Sequence, residues 1–376
     1  MTPYPRPLEG LLVVALEQAV AAPFASSRLA DAGARVIKLE RPEGDFARGY
    51  DRAAKGQSSY FVWLNRGKQS VEMDLTRDTD RALFEALVAK ADVFIQNLKP
   101  GALAKLGYPV EALTRQYPRL IACSISGYGD SGPMARRKAY DLLIQAEAGL
   151  ASITGGPEAA ARTGISIVDI ATGATATQAI LEALLARHAS GKGADIRISM
   201  FGTIADWMSV PFLQAAAGAP PQRVGLKHPS ISPYGVFMTR EGKPLLISIQ
   251  NEREWLMLCD QVFEDPEFAR DPRFCSNVLR VENRLLTDTR VAAHFQRHDK
   301  ADMAARLARA DIAFASVSDM SDLLVHPHLN TMDVATPKGV VRYPAPGAAF
   351  AGAPRSYGPV PNAGADTDRV RREFMG

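Results

Sequence analysis

Three cysteines in 376 residues, Cys123, Cys259 and Cys275, stand far apart and form no CxxC. That argues against a disulfide framework and against a cysteine metal cluster. Apolar runs of membrane-spanning length, ~20 residues, are missing as well. The opening stretch MTPYPRPLEG has neither the charged-then-apolar build of a secretory signal nor the amphipathic build of a transit peptide. These absences predict a soluble chain in a reducing compartment, the cytoplasm, with no membrane partner. Charge of one sign is scarce too: 44 Lys and Arg against 41 Asp and Glu leave a net +3. No basic run or basic helix stands out, so nucleic acid is not an expected partner. A few placed cations for a phosphorylated ligand suit this balance better.

Several motifs are also missing. Glu40 ends the second predicted strand, where an NAD enzyme keeps its ribose-binding acid. Yet the turn after the first strand reads EQAVAAPFA, without a glycine. The dinucleotide fingerprint needs GxGxxG there so that backbone can approach the pyrophosphate, and NAD is therefore excluded. No serine sits in GxSxG, which removes a hydrolase nucleophile elbow. The two histidines of VHPHL (325–329) have no third ligand and no glutamate at metalloprotease spacing, so no metal is expected. No internal repeat is present.

What the chain does have is strand–helix alternation. LLVVALE (11–17) reads as a buried strand, AAPFASSRLADAG (21–33) as a short helix stopped by Gly33, and ARVIKLE (34–40) as a second strand. The pattern continues with a helix over 78–91, a strand over 92–97, a helix around 101–117 and a strand over 119–125. The loop GYGDSGP follows. A long helix then runs to Ser190, GKG (191–193) stops it, and ADIRISM is the next strand. The order predicts an α/β fold, a Rossmann-like doubly wound parallel sheet over residues 1–200. Residues 201–224 read as a linker and 225–325 as a smaller α+β domain, which opens on a hairpin turned at Gly242 and continues in helices near 251–263, 278–297 and 299–309. The tail 326–376 completes the first domain.

One acid interrupts an apolar, small-residue stretch: Asp169 in GISIVDIATGATATQ. As a helix N-cap its carboxylate accepts the N–H of Ala171 or Thr172, a contribution of ~1 kcal/mol. The alternative is a nucleophile. Ala171, Gly173 and Ala174 are small, and Gly173 costs the helix roughly 0.5–1 kcal/mol against Ala, as if something bulky comes close there. Both readings stand on these residues alone.

The segments LEGLLVVALEQAVAAPFASSRLADAGARVIKLERPEGD, LNRGKQSVEMDL, ADVFIQNLKPGALAKLGY, ISGYGDSGP, KAYDLLIQAEAG and DIATGATATQAILEALLARHASGKG occur in that order. Together they resemble the class III CoA-transferases, the family of formyl-CoA transferase and carnitine CoA-transferase, over nearly the whole chain. The resemblance implies that Asp169 is the nucleophile. It further implies a CoA site built from Val20, Ala21, Arg41, Met73, Asp74, Leu75, Asn97, Leu98, Lys99, Lys105, Lys138, Ala139, Tyr140 and Asp141. CoA and acyl-CoA are then substrates, with no permanently bound cofactor, the second partner is a small carboxylic acid, and two chains interlock as a homodimer. The glycine tetrad that closes over the aspartate in the best-known member is missing; KHPSISPYG (227–235) stands in that region.

The implied chemistry is attack of the Asp169 carboxylate on a thioester, an aspartyl anhydride, an aspartyl-CoA thioester and transfer to the acceptor acid. A carboxylate with the reference pKa of about 3.9 needs no general base for this, and N–H groups at the helix start are expected to stabilise the oxyanion. Two rivals remain. One is an acyl-CoA racemase of the same fold, whose relatives carry histidine where this chain has Tyr140. The other is a non-catalytic acyl-CoA-binding protein. VGLKHPSISPYG is similar to the corresponding stretch of dicarboxylate-using members, which suggests a short dicarboxylate held by Lys227, His228 and Tyr234.

Overall fold

The computed structural model describes residues 6–350 and 356–376. Six strands form its main sheet: β1 Leu12–Leu16, β2 Arg35–Glu40, β3 Lys68–Glu72, β4 Val93–Gln96, β5 Ile121–Ser126 and β6 Ala194–Ser199. Their order is β3-β2-β1-β4-β5-β6, and every neighbouring pair is parallel. Period-2 alternation sends Val13, Ala15, Val36, Val93 and Ile95 to one face, where the helix Ala21–Asp31 and Ala176 and Ile180 cover them. Val14, Ile37, Leu39 and Phe94 go to the other face, under Leu83, Phe84, Leu87 and Val88 of the helix Asp78–Lys90. A parallel sheet covered on both faces needs apolar strands throughout, which is why β1, β2, β4 and β5 read as apolar runs. The sheet reverses its order between β1 and β4. In doubly wound folds, ligands bind beyond the carboxyl ends of the strands at that point.

Two compact units divide the chain. One gathers Met1–Leu150, Arg162–Phe212 and Asn330–Gly376, the other Ala151–Ala161 and Leu213–Leu329. The second unit holds an antiparallel sheet of β7 Tyr234–Met238, β8 Pro244–Ser248 and β9 Ala313–Ser316, with a core that includes Phe237, Trp255, Phe268 and Phe295. In the first unit, β10 Thr331–Thr336 and β11 Gly339–Pro344 pair as a hairpin, and Met332 and Val334 pack with Phe61 and Val62.

Some elements differ from the sequence reading. Periodicity gives no strand at β3, because only Val71 in KQSVE is apolar; Lys68 and Ser70 are buried through polar partners instead. The helix expected over 101–117 is two, Ala102–Lys105 and Val110–Gln116, separated at Gly107 and Pro109. The stretch 201–224 is helical in its first part, with Met200–Trp207 and Ser209–Ala216. The long helix spans Ile167–Ser190 and ends at Gly191, whose φ of 71° is the left-handed C-terminal stop.

Gly173 has a packing explanation. A Cβ at this position would lie 2.5 Å from the Ala21 carbonyl oxygen and 2.8 Å from Phe24 Cβ. What comes close to the helix start is therefore the helix Ala21–Asp31, not a ligand. Gly173→Ala must force these two helices apart, a strain of about 1–3 kcal/mol. Chemical denaturation is expected to register that loss, and turnover is expected to fall with it, since the two helices carry opposite walls of the cavity described next.

Candidate active site

A cavity of about 490 Å³ opens at the switch point. The turn after β1 (Gln18–Ala21), the turn after β4 (Asn97–Pro100) and the end of β5 (Ile125–Gly127) form its floor. Phe46, Tyr50 and Tyr60 form an aromatic side, with Tyr50 and Tyr60 edge to face at 5.5 Å. Arg137–Leu142, Arg162, Ser166, Asp169 and Met200 complete the lining. The β1 and β4 turns are tied to each other: Gln18 N–H donates to Asn97 Oδ1 at 3.0 Å, and Asn97 Nδ2 donates to the Gln18 carbonyl at 2.8 Å.

Asp169 does not cap its helix. Ser166 occupies the N-cap and Asp169 is the third helical residue. The capping carboxylate comes from another element, the helix Asp141–Glu147. Asp141 Oδ1 accepts the N–H groups of Val168 at 2.7 Å and Asp169 at 3.2 Å. Gln145 Nε2 donates to Asp141 Oδ2 at 2.6 Å, while Gln145 Oε1 accepts the Thr163 N–H at 2.9 Å. One Asp–Gln pair thus fixes the chain on both sides of residues 164–167. With Ile167 N–H on the Ile165 carbonyl, the helix-start donors expected to form an oxyanion hole are already used.

No hydrogen bond reaches the Asp169 carboxyl among the described residues. Burial pushes that carboxyl up to about 7, and the Asp141 charge adds to the shift. The expectation of a carboxylate near its reference pKa therefore fails: burial outweighs the helix dipole, which favours the anion.

Of the residues expected at a CoA site, Val20, Ala21, Asn97, Leu98, Lys99, Lys138, Ala139, Tyr140 and Asp141 line this cavity together with Asp169. Met73 and Leu75 belong to the core under the sheet. Asp74 accepts the N–H and hydroxyl of Thr76 and pairs with Arg77 at 3.4 Å. Arg41 and Lys105 are exposed and outside the lining. Lys227, His228 and Tyr234 lie in the second unit. There Lys227 pairs with Asp288 at 2.6 Å, and His228 stacks on Tyr234 at 5.3 Å. Burial, with the Arg284 charge, lowers the His228 pKa and keeps the ring neutral at pH 7. Glu40, at the ribose-acid position of a nucleotide enzyme, is held by Arg48 and by Ser70 Oγ at 2.6 Å.

The sequence profile of "CoA-transferase family III" matches residues 8–367. The chain belongs to CoA-transferase family III. An acetyl-CoA:oxalate CoA-transferase of Acetobacter aceti is 41% identical over 281 residues, 74% of this chain and 72% of the relative. A succinyl-CoA:glutarate CoA-transferase of Mus musculus is 33% identical over 323 residues, 85% of this chain and 73% of that one. Among solved structures, a CaiB/BaiF family protein from Brucella suis superposes with a TM-score of 0.83 at 31% identity, covering 98% of this chain and 99% of its own.

In this family III CoA-transferase, Gln18, Phe46, Tyr50, Tyr60, Arg137 and Arg162 also line the cavity, and sequence reasoning missed them. Gln18 alone carried a signal, as a polar residue directly after a buried strand. The aromatic residues come from two helical turns, Phe46–Gly49 with Tyr50 at its end and Ser59–Leu64, too short to show a period.

The raised Asp169 carboxyl sets the pH behaviour. The folded pKa lies above the unfolded one, so ionisation at this site destabilises the fold progressively from about pH 4 to 7. Asp169→Asn is expected to raise the melting temperature at pH 8 and leave it unchanged at pH 4. If the carboxylate is the reacting form, kcat/KM falls about tenfold per unit below a midpoint near 7. Asp141→Asn keeps an acceptor oxygen but removes the charge, and the midpoint should move down.

Proposed function

We propose that this enzyme moves CoA from an acyl-CoA thioester to a short dicarboxylic acid, with Asp169 as the nucleophile. The observation that carries the reading is one cavity whose lining brings a carboxyl with a pKa near 7 together with Lys99, Arg137, Lys138 and Arg162. The Asp169 carboxylate attacks the thioester carbonyl and CoA leaves as the thiolate, giving a mixed anhydride. The thiolate then attacks the aspartyl carbonyl, releasing the donor acid and leaving an aspartyl-CoA thioester. Attack by the acceptor carboxylate forms a second anhydride, and return of the thiolate yields the new acyl-CoA and free Asp169. Every step exchanges one acyl bond for another, so no oxidant, metal or net proton is needed. Fixing the carboxylate beside the thioester supplies effective molarities of ~10⁵–10⁸ M. The helix Ala21–Asp31 has no side-chain cap, and its start lies at Val20 and Ala21 in the lining. Its first N–H groups are the donors we assign to the developing oxyanion.

A second carboxylate on the acceptor suits a cavity with four cations. Arg137 is balanced by Glu147 at 2.7 Å, so CoA phosphates and a diacid can share the rest. The relatives named for oxalate and glutarate support the same class. We further propose a homodimer. Trp207, Val210 and Phe212 are 55%, 64% and 69% exposed on two successive short helices, large apolar side chains that a second copy of the chain would cover.

Three measurements test this reading. Asp169→Ala is expected to cut transfer by on the order of 10⁴ while CoA still binds in calorimetry; a variant retaining a tenth of the rate would rule out the nucleophile. For matched acceptors, glutarate against butyrate, one charge-assisted bond of ~1.5–3 kcal/mol favours the diacid roughly ten- to a hundredfold in kcat/KM; equal values would reject the dicarboxylate class but not the CoA transfer. Sedimentation at micromolar concentration is expected to give twice the chain mass, and a monomer would refute the assembly.

A further inference from the structure

Ala19 lies in the cavity floor with φ 64°, a left-handed conformation that L-residues other than glycine adopt at a cost. The partners around it are unusually fixed. Asp45, 4% exposed and outside the cavity lining, accepts the Ala19 N–H at 3.1 Å and the Ala47 N–H at 2.9 Å through Oδ1. Its Oδ2 accepts from Lys38 Nζ at 2.8 Å. That same Nζ donates to the Glu17 carbonyl at 3.3 Å, immediately before the turn. The Glu17 carboxylate is anchored in turn by Lys68 at 2.7 Å and by Ser26 Oγ at 2.7 Å. Burial works against the Lys38 charge, but Glu17, Asp45 and Glu40 outweigh it and raise its pKa, so Lys38 keeps its charge. Glu17, Gln18 and Ala19 are therefore each pinned by a side chain from a different element.

We propose that Asp45 is a positioning residue: backed by Lys38, it holds Ala19 left-handed so that the Gln18–Ala21 turn keeps the shape that receives CoA. The inference rests on the cavity being the CoA site. An alternative is that Asp45 serves only core stability. The two differ in what glycine at position 19 does, because glycine takes a positive φ without an anchor.

The test is calorimetric titration of CoA into the full-length protein and its variants. Asp45→Asn keeps Lys38 beside Glu17, 3.6 Å away; it is expected to bind CoA about tenfold more weakly. Ala19→Gly alone sets the reference affinity against which the double variant is read. The double variant Asp45→Asn/Ala19→Gly should recover most of the lost affinity without recovering any lost melting temperature. Wild-type affinity in Asp45→Asn overturns the proposal, and so does a double variant as weak as Asp45→Asn alone. If Asp45→Asn does not fold, Ala19→Thr asks the same question with the ion pair intact. A β-branched residue resists φ 64°, so CoA binding falls about tenfold, and unchanged binding overturns the proposal. A wild-type protein that binds no CoA would instead defeat the functional reading itself.

Discussion

The Asn97 amide, bonded to both the N–H and the carbonyl of Gln18, ties β1 to β4 where the sheet reverses its order. Parallel neighbours whose following helices leave on opposite faces open a crevice at that point, and the two turns would otherwise be free to diverge. With the turns joined, Val20 and Ala21 on one side and Leu98 and Lys99 on the other become a single floor. Asp169 is brought over that floor by the long helix, which sits close because residue 173 has no side chain. Floor and Asp169 are thus positioned by contacts made on the backbone of Gln18 and of Gly173.

Charge is buried beneath this floor at a cost that the fold does not need for stability alone. Glu17, Lys38, Asp45 and Lys68 are all under 5% exposed. Such clusters are often no more stabilising than an apolar core of equal volume. Their directional bonds set the path of a turn, which apolar packing does less sharply. Asp169 shows the opposite arrangement: its backbone is held firmly while its carboxyl is left without donors. A carboxylate stabilised by several hydrogen bonds is a weak nucleophile, so withholding those bonds suits the role we propose for Asp169.

Legibility followed burial. Strands covered on both faces were readable as apolar runs, and the hairpin of the second unit was readable from its alternation and Gly242. β3 was not, because an edge strand whose inward residues are Lys68 and Ser70 looks polar in sequence. The hairpin β10–β11 was missed for a similar reason: its residues are largely exposed. Within the site, Asp169 was legible as an odd acid, but the cap of its helix was not. The cap is Asp141, 28 residues earlier, and no local pattern reports a contact at that separation. Gly173 was noticed correctly as a place of close approach, yet sequence alone could not say what approaches. Met73 and Leu75 matched a family motif, and their side chains nonetheless went to the core, since a motif fixes a position along the chain and not the direction of a side chain.

The edge strand β3 also bears on the order of synthesis. Its outer groups are met by the C-terminal segment: Ser70 N–H by the Asp366 carboxylate, Glu72 N–H by the Thr367 hydroxyl, and the Ser70 carbonyl by Asp366 N–H. Those partners leave the ribosome almost 300 residues later, after the whole second unit. Until then a nascent chain carries its sheet with the β3 edge uncovered, the kind of surface that recruits other strands. A polar β3 is therefore not only hard to read; its buried Lys68 and Ser70 make it a poor template for wrong partners during that wait.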